Sequence, residues 1–124
     1  MPVINIKSLP VQDHTNIPEI LIRLNTGVSE ALGCDVSHVW SYWEFIKSGF
    51  YAAGKSVAAK IHEETHSPIV NIILHEGTDP EKIKAMFSRI AKILSTELEI
   101  EYSNVFITIA EKKPDMVFEA GELV

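Results

Sequence analysis

The chain has a single cysteine, Cys34, so it can form no intrachain disulfide, and a reducing compartment is the default expectation. It has no basic run either: 11 lysines and arginines stand against 17 aspartates and glutamates, for a formal charge of −6. Nucleic-acid and anionic-membrane partners, which call for clustered cations, are therefore not expected. No apolar run reaches the roughly 18–20 residues of a membrane-spanning helix, and the first residues lack the basic-then-apolar order of a signal peptide. The expectation is a soluble, cytoplasmic protein. With 124 residues, 46% hydrophobic and 23% charged, the chain has globular composition and enough length for one core, not two.

The chain opens with Met1-Pro2-Val3-Ile4-Asn5-Ile6-Lys7, a short apolar strand beginning on a proline. Loss of the initiator methionine would leave Pro2 as the amino terminus, a secondary amine held rigidly at the end of a buried element. A general base works best with a pKa near the operating pH. An α-amino group starts at about 7.7–8.0, and desolvation in an apolar pocket lowers it further by disfavouring the ammonium form. Pro2 is thus a candidate base for taking a proton from carbon beside a carbonyl.

The opening phrase returns as Pro68-Ile69-Val70-Asn71-Ile72, an offset of 66 positions. The same offset carries Ile17 to Ile83, Leu24 to Ile90, Val28 to Leu94, Leu32 to Leu98, Ser37 to Ser103, Val39 to Val105 and Trp40 to Phe106, with no gap. Any two strand-helix-strand units share apolar spacing, but matched Pro, Asn and Ser without a gap point to a repeat. Residues 2–46 and 68–111 are read as the two units, 47–67 as the link and 112–124 as a tail too apolar to be solvated.

In the first unit a strand over 3–9 ends at Pro10. Pro18 then sits in the first turn of a helix whose stripe is Ile20, Leu21, Leu24, Val28, Ala31 and Leu32, with Gly33 as its stop. Residues 39–46 follow as an aromatic strand. In the second unit a strand over 68–74 ends at Gly77, and Thr78-Asp79-Pro80-Glu81 has the form of a capping box. Ile83, Met86, Phe87, Ile90, Leu94 and Leu98 make the helical stripe, and 105–109 is the closing strand. Residues 57–61 of the link can return as a further short strand.

Two such units predict an α+β fold: a four-stranded mixed sheet with both helices on one face, plus short extra strands. The right-handed crossover rule makes the strands flanking each helix parallel. The other sheet face stays open and carries Trp40 or Tyr42, so the expectation is that it is buried by self-association.

His62-Glu63-Glu64-Thr65-His66 matches H-E-x-x-H, the signature of zinc hydrolases. Its chemistry needs both histidines on one helical face, with the glutamate beside a metal-bound water. In an extended strand the two rings would stand roughly 13 Å apart, too far for one ion. Pro68 would also stop a helix two residues later. No third ligand follows at the usual offsets, so no metal or other cofactor is expected.

Taken together, the proline strand and the stretches PIVNIILHEGTDPEK, SNVFITIAE and VFEAGEL resemble the tautomerase superfamily. Residues 68–124 look like a complete short 4-oxalocrotonate tautomerase subunit. The first half is similar in layout to fused branches such as macrophage migration inhibitory factor and malonate semialdehyde decarboxylase. The resemblance implies a homotrimer that buries the open sheet face, with Pro2 as catalytic base for keto–enol proton transfer on a small carbonyl acid. It also marks departures. Positions that hold cations in family branches are Cys34, Glu76, Thr78 and Phe106 here, which points away from hydrolytic dehalogenation and decarboxylation. Candidate substrate-binding residues are Lys7 and Lys55 as replacement cations, and Trp40, Tyr42 and Phe106 as pocket wall. The alternatives are a non-catalytic trimer that binds a ligand or serves a structural role, and, third, a zinc hydrolase built on His62, Glu63 and His66.

Overall fold

In the computed structural model, which describes residues 1–124, the first element is β1 (Val3–Ser8). Its alternation is strict, with Ile4, Ile6 and Ser8 turned to the core and Lys7 to solvent. Helix α1 (Ile17–Leu32) starts where the Asn16 side chain accepts the Glu19 N–H at 3.2 Å and where Pro18 stands in the first turn. It stops at Gly33, whose φ of 69° lets the backbone turn left-handed and return its N–H to the Ser29 carbonyl. A single 3-10 turn, Val36–His38, leads into β2 (Trp40–Phe45).

The link forms a two-residue-strand hairpin, β3 (Ala52–Ala53) and β4 (Ser56–Val57). The expected return strand over 57–61 is present but shorter, as β4 ends at Val57, and Ile61 gives its N–H to the Pro10 carbonyl at 2.8 Å. Then come β5 (Ile69–His75), α2 (Pro80–Leu98) and β6 (Phe106–Lys112). A last hairpin, β7 (Phe118–Glu119) with β8 (Glu122–Leu123), ends the chain. At α2 the cap falls one residue later than the capping-box reading. Asp79, not Thr78, accepts the Glu81 N–H, at 2.9 Å, while the Thr78 hydroxyl donates to the His75 carbonyl at 3.0 Å. Pro80 forces this, since a residue before proline is kept out of the helical region and Asp79 is therefore the cap.

The sheet order is β2-β1-β5-β6, with the outer pairs parallel and the central pair antiparallel. The fold is the expected α+β arrangement of two β-α-β units. Its register repeats at the sequence offset: Val3 pairs with Trp40 as Ile69 pairs with Phe106, and Asn5 meets Asn71 at the centre of β1 and β5. Smaller details repeat as well. The Pro2 and Pro68 carbonyls each accept, at 3.1 Å, from Trp40 N and Phe106 N, and Cys34 N and Ile100 N donate to Ser29 O and Ser95 O.

The core lies between the sheet and the two helices. Ile4, Ile6, Val70 and Ile72 from the strands meet Ile20, Leu24, Val28, Met86, Ile90 and Leu94 from the helices, all essentially without exposure. Each such side chain contributes about 1.5–3 kcal/mol on burial. The helices can approach because Gly27 faces α2: a Cβ there would come within 2.8 Å of Arg89 Cγ. On their outer side, ion pairs join Arg23 to Glu97 and Arg89 to Glu30. These are exposed and add little stability. No helix is long and apolar enough to cross a membrane.

Candidate active site

Pro2 is buried at the head of β1, and its carbonyl is tied to Trp40 N. Met1 precedes it, and the amino nitrogen of Met1 lies 3.3 Å from Glu119 Oε1 on β7. The carboxylate is brought there by the terminal hairpin, which closes on itself through Val124 N to Val117 O (2.8 Å) and Asp115 N to Val124 O (3.1 Å).

Two clefts meet at Met1. The larger, 410 Å³, is walled by Leu32 and Cys34 at the end of α1, by Leu74 and His75 at the end of β5, by Gly77 and Thr78 after it, and by Asp79 and Lys82 at the start of α2. The smaller, 350 Å³, lies between His38, His75 and the terminal hairpin, which supplies Glu119 and Glu122. Both are of the size that takes a small organic molecule. The charges divide between them. The smaller cleft is acidic, while the larger holds Lys82, a lysine that takes part in none of the chain's ion pairs although its neighbour Lys84 is paired with Glu81 at 3.3 Å.

The corresponding place in the second unit is occupied by the chain itself. Ser67 precedes Pro68 as Met1 precedes Pro2, and its hydroxyl donates to Asn104 Oδ1 at 2.7 Å. The Asn104 amide in turn donates to the carbonyls of His62, Glu63 and Thr65 at 3.0, 3.3 and 3.0 Å. The Tyr51 hydroxyl holds Ser67 O at 2.9 Å. Burial raises the Tyr51 phenol above its ordinary pKa, so it remains a donor across the physiological range. Link residues thus pack against the second unit beside Pro68, whereas the space around Met1 is open.

The same contacts dispose of the metal reading. Residues 62–66 form no helix. His62 Nδ1 accepts the N–H groups of Glu64 and Thr65 at 3.0 and 3.1 Å. His66 is 4% exposed, and its two ring nitrogens lie 2.9 Å from Ser56 O and 3.0 Å from Thr65 Oγ1. With both nitrogens of His66 engaged, the pair does not converge on an ion, and the segment serves as loop scaffolding.

Among the residues singled out by sequence, Pro2 is buried next to Met1, which lines both clefts, and lines neither itself, while Cys34 and Thr78 line the larger one. Trp40, Tyr42 and Phe106 stand on the open sheet face, about half exposed. Lys7 is on the same face, with its Nζ 3.8 Å from Glu44 Oε2. Lys55 is exposed in the β3–β4 turn. None of these five lines either cleft within one chain. Lys82, Glu119, His38 and His75 do, and sequence reasoning passed over them. The one available signal was the position of Lys82 in the first turn of a helix that directly follows the β5 loop.

Comparisons with known proteins follow the geometry. Residues 68–124 match the family model described as tautomerase enzyme, and no curated protein matches the chain by sequence. Among solved structures, the protein Pt0534 inactivated by 2-oxo-3-pentynoate is similar at a TM-score of 0.85 and 16% identity, over 96% of this chain and 92% of that one. A wild-type fused 4-OT in a symmetric trimer gives 0.82 and 14%, over 95% and 91%. A macrophage migration inhibitory factor-like protein from Entamoeba histolytica gives 0.76 and 17%, over 99% and 98%. At these identities the likeness establishes the fold, which is that of the fused 4-OT structures. Residues 68–124 thus match the tautomerase model, and nearly the whole chain shares the fold of these structures.

Proposed function

We propose that the protein is a tautomerase in which Pro2, exposed as the amino terminus by removal of Met1, is the general base for keto–enol proton transfer on a small carbonyl acid. The observation that carries this reading is the position of the amino terminus: it lies where two open clefts meet, whereas the matching place in the second unit is filled by residues of the link. In the reaction the neutral amine takes a proton from the carbon beside the carbonyl, the C–H electron pair forms the enol double bond, and the carbonyl oxygen takes up a proton. The ammonium of Pro2 returns its proton in the reverse direction. Pro68, with its nitrogen in a peptide bond, has no part in this, so each chain has one reactive proline.

The working form is a homotrimer in the cytoplasm. A fused structural neighbour is a symmetric trimer, and the open sheet face here carries Trp40, Tyr42 and Phe106 about half exposed. In the trimer these aromatics form pocket wall across the subunit boundary, with Lys7 and Lys55 at its rim. A chain that keeps Met1 is the non-catalytic ligand-binding homologue, because its primary amine is held by Glu119 and the Pro2 nitrogen stays in a peptide bond.

Three measurements test the reading. Intact mass reports whether Met1 is absent. Ketonisation of phenylenolpyruvate, followed by ultraviolet absorbance, falls by about 10²–10⁴-fold in Pro2→Ala. The inhibitor of the structural neighbour, 2-oxo-3-pentynoate, is an alkyne conjugated to a ketone, so an amine adds to it, and the adduct is expected on the amino-terminal peptide. Retained Met1, or full activity in Pro2→Ala, removes the proposal.

A further inference from the structure

Lys82 and the amino terminus share the 410 Å³ cleft, yet they come from opposite ends of the chain's topology. The ammonium of Lys82 lies over the stop of α1, with Nζ 3.8 Å from where a Cβ on Gly33 would stand, next to Cys34. Lys7, Arg23, Lys84 and Arg89 are each ion-paired with a carboxylate, and Lys82 is not. In a chain of net charge −6 an anionic substrate meets general repulsion, so a local unpaired cation decides where its carboxylate is held. The only carboxylate lining the same cleft is Asp79, whose Oδ1 already accepts the Glu81 N–H at 2.9 Å. At the offset of 66 the counterpart of Lys82 is Asn16. Lys82 is thus on the second unit yet lines the open cleft beside Met1, and the first unit has an uncharged residue at the matching position.

We propose that Lys82 holds the substrate carboxylate and makes the site selective for monocarboxylic 2-oxo acids and their enols. The proposal deepens the Pro2 reading and rests on it. The larger cleft offers one charged anchor, and the cleft on the other side of the amino terminus presents Glu119 and Glu122. A second carboxylate reaching across Pro2 would face these two anions and is rejected by repulsion. Lys82 positions substrate and takes no proton from it.

The test compares wild type, Lys82→Ala and Lys82→Arg on phenylenolpyruvate, its methyl ester and the dicarboxylate 2-hydroxymuconate. A charge-assisted hydrogen bond to the carboxylate predicts a KM for phenylenolpyruvate raised ~10- to 100-fold in Lys82→Ala, with kcat changed far less. The ester is unaffected, Lys82→Arg recovers most of the loss, and wild type prefers the monoanion to the dianion. An equal rise for the ester means a structural role, such as ammonium contact with the carbonyl end of α1, and overturns the proposal. An unchanged KM, or a preference for the dianion, does so too. Binding of phenylpyruvate by calorimetry, compared in wild type and Lys82→Ala, needs no turnover. It therefore separates failure of the anchor from failure of Pro2, whose Ala variant loses acid and ester turnover alike.

Discussion

If Pro2 is the base proposed above, the carboxylate of Glu119 bears on its working range. In the chain that begins at Pro2 the amine must be neutral to accept a proton. Burial favours the neutral form, while an anion close by favours the ammonium and so works against it. Glu119 Oε1 is 3.3 Å from the terminal nitrogen of the full chain, and its side chain keeps 24% exposure, so solvent screens part of the effect. Glu119→Gln is expected to move the acidic limb of the kcat/KM profile towards lower pH. The sign follows because removal of the anion lowers the amine's pKa, and the base is then free at lower pH. A limb that stays in place, or moves up, means that Glu119 does not reach the mature terminus. At this scale the sequence was partly legible. The secondary amine that Pro2 would offer as a terminus is a property of the covalent chain and can be read from it. Glu119 and Lys82 come near the terminus only through a hairpin and a helix start, and neither residue stands in a pattern that announces this.

The two units make an internal comparison of elements. Both helices end on a left-handed residue with the same carbonyl partner, but α1 uses Gly33 (φ 69°) and α2 uses Glu99 (φ 56°). A side chain in that region costs about 1–2 kcal/mol, and the 3.5 Å contact of Glu99 with His14 is exposed and offsets little of it. Glu99→Gly is therefore expected to stabilise by about 0.5–1 kcal/mol after the larger chain entropy of glycine is counted. Gly33→Ala should destabilise by about 1 kcal/mol, and urea unfolding measures both. Destabilisation by Glu99→Gly would mean that the His14 contact or the Glu99 stem matters more than backbone strain. Strands and helices of both units could be read from the sequence because their apolar spacing and matched offset are local properties, as the shared register of Val3–Trp40 and Ile69–Phe106 bears out. The link could not. His62 and His66 resemble a metal motif, but the His62 ring accepts the N–H groups of Glu64 and Thr65 while its carbonyl accepts from the distant Asn104, and the His66 ring lies against Ser56 O.

Across the whole molecule, the open sheet face is ordered in rows. Trp40, Val3, Ile73 and Ala110 lie side by side over all four strands, and next to them run Tyr42, Asn5, Asn71 and Thr108. An apolar row beside a row of hydrogen-bonding groups suits a partner that is another sheet, since it offers both packing and polar contacts. Ile73 is at the middle of the apolar row and 37% exposed in one chain. Ile73→Asp leaves the buried face of β5 untouched, so the subunit should keep its far-UV spectrum while its association fails. Sedimentation equilibrium is expected to give about three times 13.9 kDa for wild type and 13.9 kDa for the variant. The activity of that monomer then tells where the pocket ends. If Trp40, Tyr42 and Phe106 serve a neighbour's cleft, dissociation abolishes turnover although Pro2, Lys82 and Glu119 are all intact within one chain. If turnover survives in the monomer, the two clefts around the amino terminus are the whole site, and the aromatic face only holds the subunits together.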